Sequence, residues 1–390
     1  MIETRQDTLF TSALPDGWII ERLEKICRIR TGKRDVNEGN PNGKFPFFTC
    51  SRDVHYADTY SFDTEAILVA GNGAVGDTKY FCGKFEAYQR TYVLDNFIAF
   101  APYVYLFLKS TLTAELAKCV SGSTMPYIRK GDLENIRVPL PTPDEQQKIA
   151  AVLGLVQQEI TQQERLLSLT AELKKTLLQQ LFTHGLHNEA QKQTELGPIP
   201  QSWQVMKFED FAVLQRGFDL PKSEFRGGRV PVIGATTTLG YHDRFNVQGP
   251  GVTVVRSGSS AGKPQFISTD FWAHNVVLFV KNFHGHNPRF VYYKIQHIDL
   301  TKYRAGVAVP TLNRNTFRQV LVAIPHRDEQ DEFVRTLDAV ENKESTHARK
   351  RAALGDFFRT LLHQLMTGQI RVDNLNRDHL ITPRTIIPIA

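Results

Sequence analysis

The sequence predicts an α/β protein built twice over: two α/β domains separated by a pair of long antiparallel helices, the halves related by an internal pseudo-two-fold repeat. Three observations carry this prediction. Blocks of similar residues recur at a near-constant offset, each half runs from short β-rich segments into one long apolar-seamed stretch, and the recurrence extends to the ends of those stretches.

The repeat opens with Leu14-Pro15-Asp16-Gly17-Trp18, leading to Leu23, Ile26 and Thr31-Gly32. Its counterpart is Ile199-Pro200-Gln201-Ser202-Trp203, leading to Phe208, Phe211 and Arg216-Gly217, an offset of 185 from Trp18 to Trp203. Further on, Gly122, Pro126, Leu133, Ile136, Val138, Pro141 and Asp144-Glu145-Gln146 match Gly306, Pro310, Phe317, Val320, Val322, Pro325 and Asp328-Glu329-Gln330, at an offset of 184 from Asp144 to Asp328. Leu177, Leu178, Gln180, Leu181 and Thr183 then match Leu361, Leu362, Gln364, Leu365 and Thr367.

Within each half, β-branched and aromatic runs bounded by turn residues read as strands. Ala66 to Ala70 and Val252 to Val255 each precede a glycine-containing loop, and Ile136 to Leu140 and Val320 to Ile324 are the last strands before a proline. Asp144 and Asp328 stand where helix N-caps belong, with Glu145 and Glu329 favourably placed for the helix dipole. The first helix carries Ile149, Val152, Leu153, Val156, Ile160, Leu166, Leu169, Leu173, Leu177 and Leu181 at spacings of mostly three and four. Roughly 40 residues at 1.5 Å rise make a rod of about 60 Å, too long for one small domain to cover. The partner is internal: Phe333, Leu337, Val340, Leu354, Phe358, Leu361 and Leu365 form a second seam. Both seams turn polar midway, at Thr161-Gln162-Gln163 and from Lys343 to Lys350. The expected boundaries are a first domain over residues 1–143, a first spacer helix over 144–190, a second domain over 191–327, a second spacer helix over 328–375 and a tail over 376–390.

Composition narrows the function. The 390 residues carry 47 Lys+Arg against 41 Asp+Glu, a net charge of +6. By segment, residues 1–140 hold 17 against 17, 141–194 hold 5 against 6, 195–325 hold 15 against 8, and 326–390 hold 10 against 10. The whole positive excess therefore sits in one central block, a candidate polyanion surface. Four widely spaced cysteines, Cys27, Cys50, Cys82 and Cys119, form no zinc-ligand set, and no apolar stretch approaches a membrane span, so a reduced cytoplasmic location is expected.

Candidate contacts come from three places in each half. Gly71 to Gly76 matches GxGxxG formally, yet Thr78-Lys79-Tyr80-Phe81 behind it reads as strand, which leaves no helix N-terminus for a pyrophosphate. Asn72, Lys79 and, in the counterpart loop, Arg256, Ser259 and Lys263 are candidates for a nucleic-acid backbone. A hairpin turn is the plainer reading of both loops. Gln89-Arg90 and His274-Asn275 occupy equivalent places before a strand, which adds Arg90 and Asn275. The segment from Ser121 to Lys130 adds Ser123, Thr124, Arg129 and Lys130, and the segment from Ala305 to Arg314 adds Asn313 and Arg314. Arginine pairs with guanine O6 and N7 and asparagine with adenine, so Arg129, Asn313 and Arg314 are the stronger specificity candidates. Solvated surface charge is the competing reading. His284, His286 and Asn287 read as a polar loop, and no metal is expected. No methyltransferase tetrapeptide, phosphate loop, nuclease carboxylate pair or nucleophile elbow is found, so no catalytic residue is assigned.

The order of domain, P-x-x-DEQ and long helix, repeated once and closed by IRVPLPTPDEQQKIAAVL and VLVAIPHRDEQDEFVRTL, resembles specificity subunits of type I restriction-modification systems from about Leu14 to about Ile370. The resemblance implies two target-recognition domains that read an asymmetric bipartite site on double-stranded DNA, with the helices setting the spacer. It also implies two methyltransferase subunits and restriction-translocase subunits as partners, with S-adenosylmethionine, ATP and Mg bound on those partners and no cofactor on this chain. A self-contained DNA-modifying enzyme and a coiled-coil scaffold are the alternatives.

Overall fold

A computed structural model describes residues 15–116, 127–306 and 310–372, which form two compact units. The first unit comprises Met1–Arg165 with Ala348–Ala390, and the second comprises Leu166–His347.

The first unit is organised by a six-stranded sheet whose order is His55–Ala57, Phe45–Phe48, Thr78–Ala87, Phe62–Ala70, Thr91–Asp95 and Arg28–Thr31. Only the Phe45–Phe48 pairing with Thr78–Ala87 is parallel. Because successive strand residues face opposite sides, Ile67 and Val69 pack with the helix Ala101–Leu116, whereas Phe62, Ala66 and Leu68 pack with Phe48, Phe81 and Phe85 on the other side. The strand Arg137–Leu140 pairs with Ile19–Arg22 and delivers the chain into the first long helix, Pro143–His184.

The second unit repeats this plan with a break. Strands Val213–Arg216, Val277–Asn282, Gly251–Val255 and Pro264–Ile267 form one sheet, and Thr238–His242, Val230–Ile233 and Trp272–Ala273 form another. The single strand Thr78–Ala87 of the first unit is thus split in two here. Pro264 removes a ladder donor at the start, and between the pieces Asp270 leaves the strand to accept a 2.8 Å bond from the Gly249 backbone N–H. Gly32 and Gly217 of the repeat have one cause: a Cβ at either would lie 2.0 or 2.1 Å from a carbonyl oxygen, of Ala87 and His274 respectively.

The long helices, Pro143–His184 and Arg327–Met366, run antiparallel inside each unit. In the first unit Ile149 and Leu153 share a core with Leu362 and Leu365, while Glu159, further along, meets Lys350 at 3.6 Å. In the second unit Phe182 packs on Phe333, while Lys174, earlier in its helix, meets Glu341 at 3.3 Å. Ion pairs thus flank the polar stretches of the two seams, with Arg351 on Glu164 at 2.9 Å as a further one. Leu169 and Leu173, expected in the seam, are each 51% exposed, whereas Ile149, Leu153, Ile160 and Leu181 of the same helix are buried.

The helix starts also differ from expectation. Each helix begins one residue before its aspartate, at Pro143 and at Arg327, so Asp144 and Asp328 lie inside the first turn rather than at the cap. Thr142 takes that role, its hydroxyl accepting the Glu145 N–H at 3.3 Å. Glu145 and Glu329 turn inward, each accepting a 3.1 Å bond from a tryptophan Nε1, of Trp18 and of Trp203. Arg371 closes on Glu145 from the other side with bonds of 2.7 and 3.0 Å. Gln146 donates to the Pro141 carbonyl and accepts the Phe100 N–H, and Gln330 does the same with Pro325 and Asn287. The repeated DEQ therefore clamps each helix start to its own domain.

Candidate nucleic-acid interface

In the first unit the three candidate segments meet. The loop after Phe62–Ala70 is a hairpin connection to Thr78–Ala87, and it is pinned from two sides. Gly71 donates to the Arg90 carbonyl at 3.0 Å and accepts from Ile128 at 3.0 Å, while Asn72 bridges Tyr127. Gly71 is required here, because a Cβ would lie 2.4 Å from the Arg90 carbonyl oxygen. The crossing leaves an open cleft of about 540 Å³ lined by Gln89, Arg90, Arg129 and Lys130 around Thr31, Tyr92 and Tyr127. Tyr92 buttresses its floor by donating a 3.0 Å bond to the Ile128 carbonyl. The Tyr127 oxygen beside Arg129 raises the guanidinium pKa above its ordinary value and so favours the charged form.

Not every candidate lies in this cleft. Lys79 is paired with Asp77 and donates to the Ser51 carbonyl, with only 14% of its side chain exposed, so its charge is already neutralised. Lys130 lines the cleft but pairs with Glu134 at 3.0 Å. Ser123 and Thr124 lie outside the described residues.

The second unit has the same crossing. Arg256 donates to the Val276 carbonyl at 2.9 Å and accepts from Leu312 at 2.7 Å, while Ser257 bridges Thr311. This pattern corrects one sequence pairing. Gly71 and Arg90 correspond to Arg256 and Val276, so Asn275 is the counterpart of Gln89, and His274 is that of Tyr88. A one-residue length difference before the following strand causes the shift, which residue type alone does not reveal.

Side chains at the second crossing are more occupied. Asn313 caps the helix Arg314–Phe317, its Oδ1 accepting the Asn315 N–H at 3.0 Å. Asn275 donates to Asp219 at 2.7 Å and its carbonyl lies 3.4 Å from the Arg256 guanidinium. Ser259 and Lys263 are exposed in the turn. Arg314 lines a separate cleft of about 420 Å³ with Glu209, His284 and Arg318. Thr31 of the first cleft and Arg216, which ends Val213–Arg216, the counterpart of Arg28–Thr31, and is exposed, belong to the sequence repeat but are not among its candidate contacts. The repeat was the available signal, since Thr31-Gly32 and Arg216-Gly217 align.

His286 is engaged by Gln330 at 2.9 Å, and among the described residues no group of three His, Cys, Asp or Glu is arranged to hold a metal. No described helix is long and apolar enough to cross a membrane.

Comparisons with known proteins agree with this layout. Residues 15–171 and 200–355 each match the family described as type I restriction modification DNA specificity domain. The EcoDI type I restriction enzyme specificity subunit of Escherichia coli is 33% identical over 222 residues, covering 51% of this chain and 50% of that relative. The match thus spans about half the length of that curated relative. The MjaVIII specificity subunit of Methanocaldococcus jannaschii is 22% identical over 93% of this chain and 95% of its own. The crystal structure of a type I restriction-modification S subunit from M. genitalium has the same fold, with a TM-score of 0.70 over 91% of this chain and 98% of that one at 16% identity. With one specificity-domain match in each half and a single scaffold built twice, the chain belongs to the type I restriction-modification DNA specificity family.

Proposed function

We propose that this chain is the sequence-reading subunit of a type I restriction-modification complex, recognising a bipartite, asymmetric site on double-stranded DNA. The observation that carries the reading is the pair of equivalent backbone crossings with unlike side chains: Gly71, Gln89, Arg90, Tyr127 and Arg129 in one unit against Arg256, Asn275, Val276 and Thr311 in the other. A shared scaffold presents residues at equivalent places in a groove, and different donors and acceptors there select different bases. Exposed cations position the duplex through its phosphates, with a salt dependence that scales with their number.

Chemistry comes from partners in this reading. Two methyltransferase subunits supply S-adenosylmethionine and methyl transfer, restriction-translocase subunits supply ATP- and Mg-dependent steps, and this chain contributes recognition alone. The test is to express the full chain with its modification partner and map methylated positions across a genome. An asymmetric two-part motif is expected. Methylation without regard to sequence, or S-adenosylmethionine binding by the isolated chain, contradicts the proposal.

A further inference from the structure

The same helix-cap position is filled by residues of opposite capability in the two units. Asn313 accepts the Asn315 N–H with its own side chain, so the oxygen that an adenine pair would need is already committed. Arginine has donors only and cannot accept from a helix N–H. At Arg129 the bonding is therefore reversed, the Arg129 backbone N–H donating to Asp132 at 2.7 Å. Its guanidinium is left at the cleft beside Tyr127, fully charged and exposed. Arg90, on the opposite lip, is exposed and its side chain has no hydrogen bond or ion pair among the described residues. In the second unit Val276 stands in its place.

We infer that Arg129 is a specificity-determining residue that reads the O6 and N7 edge of a guanine in the half-site of the first unit, with Arg90 as the second cation of the same cleft. The inference rests on the DNA-reading function proposed above. A bidentate guanidinium contact discriminates against a wrong base, and an ammonium at that place keeps the charge without the planar fork. Asn313, committed to its cap, does not read a base.

The experiment uses the full chain with its modification partner and maps the methylated motif for wild type, R129A, R129K and R90A. The expected wild-type motif contains a G·C pair in one half. Both Arg129 variants relax that position alone, by about 5- to 150-fold in discrimination. R90A weakens methylation through the same half-site, and N313A leaves the motif unchanged. An unaltered motif with evenly reduced methylation in R129A makes Arg129 a phosphate contact and overturns the inference, as does a wild-type motif lacking guanine in that half. Should R129A fail to fold, R129K gives the same decision. A wild-type complex with no bipartite motif would defeat the function itself, a result distinguishable from either.

Discussion

The two units share the clamp at the start of their long helix but seat their domains on it by different forces. Trp18–Glu145 and Trp203–Glu329 are the same bond, and Gln146 and Gln330 make the same pair of contacts. Beyond the clamp the second unit is ionic. Arg289 of Pro288–Ile298 reaches Asp338 at 2.8 Å and Glu341 at 2.7 Å, with the Tyr293 hydroxyl placed to donate to either carboxylate and the rings of Phe266, Tyr292 and Tyr293 around the guanidinium. In the first unit the corresponding helix positions are Gly154 and Gln157, facing a domain helix with Pro102 and Leu106, and the joint is an apolar core containing Leu106 and Leu153. The difference teaches that the repeated bonds fix topology while the rest of the joint is free to diverge, leaving the units with unlike responses to pH.

The largest expected contrast is at Lys294, which is 5% exposed and lies over the rings of Phe182 and Trp203, at 4.7 and 5.8 Å. Burial lowers its pKa from 10.5 to about 7. The unfolded chain then binds more protons than the folded chain between those values, so the second unit gains stability as pH rises from about 7 to about 10.5, on the order of 5 kcal/mol in all. Phe107 occupies the matching place in the first unit and gives it no such slope. Urea unfolding across this range measures it, and K294M is expected to abolish the slope. His297, lowered to about 4 by burial first and by Lys294 second, adds a smaller gain in the same direction between about 4 and its ordinary 6.5.

Next in size is E145A, which strands the buried Trp18 N–H and removes both bonds between Arg371 and Glu145; a loss of about 3 kcal/mol is expected in the first unit. E329A removes the tryptophan bond and a weak 3.3 Å contact from the Leu186 N–H but strands no arginine, and is expected to cost about 1–2 kcal/mol. Equal losses in chemical denaturation would erase the distinction. R289A should loosen the second domain's seat by about 1–2 kcal/mol, read as faster hydrogen exchange in Pro288–Ile298 with Ala101–Leu116 unchanged. The smallest effect is at the exposed leucines: L169A is expected to change stability by less than about 0.5 kcal/mol, whereas L153A costs about 2–5 kcal/mol.

Much of this was legible in the sequence, for identifiable reasons. The strands before each proline, the helix starts to within two residues and the antiparallel partnering all follow from residue periodicity and from a repeat that preserves it. Three features were not. The exposure of Leu169 and Leu173 depends on where the partner helix lies, and periodicity defines a face without saying what covers it. The inward turn of Glu145 and Glu329 needs a tryptophan more than 120 residues away in sequence. The pairing of Gln89 with Asn275 is displaced by one residue from the alignment by type, and only the backbone bonds of Arg90 and Val276 reveal it.

The central claim, one scaffold used twice with separate reading residues, is tested most directly by replacing residues 195–325 with the equivalent block of a relative and mapping methylated sites in cells that supply the modification partner. The account predicts a new sequence in one half of the motif, with the other half unchanged. Alteration of both halves, or of neither, would contradict it.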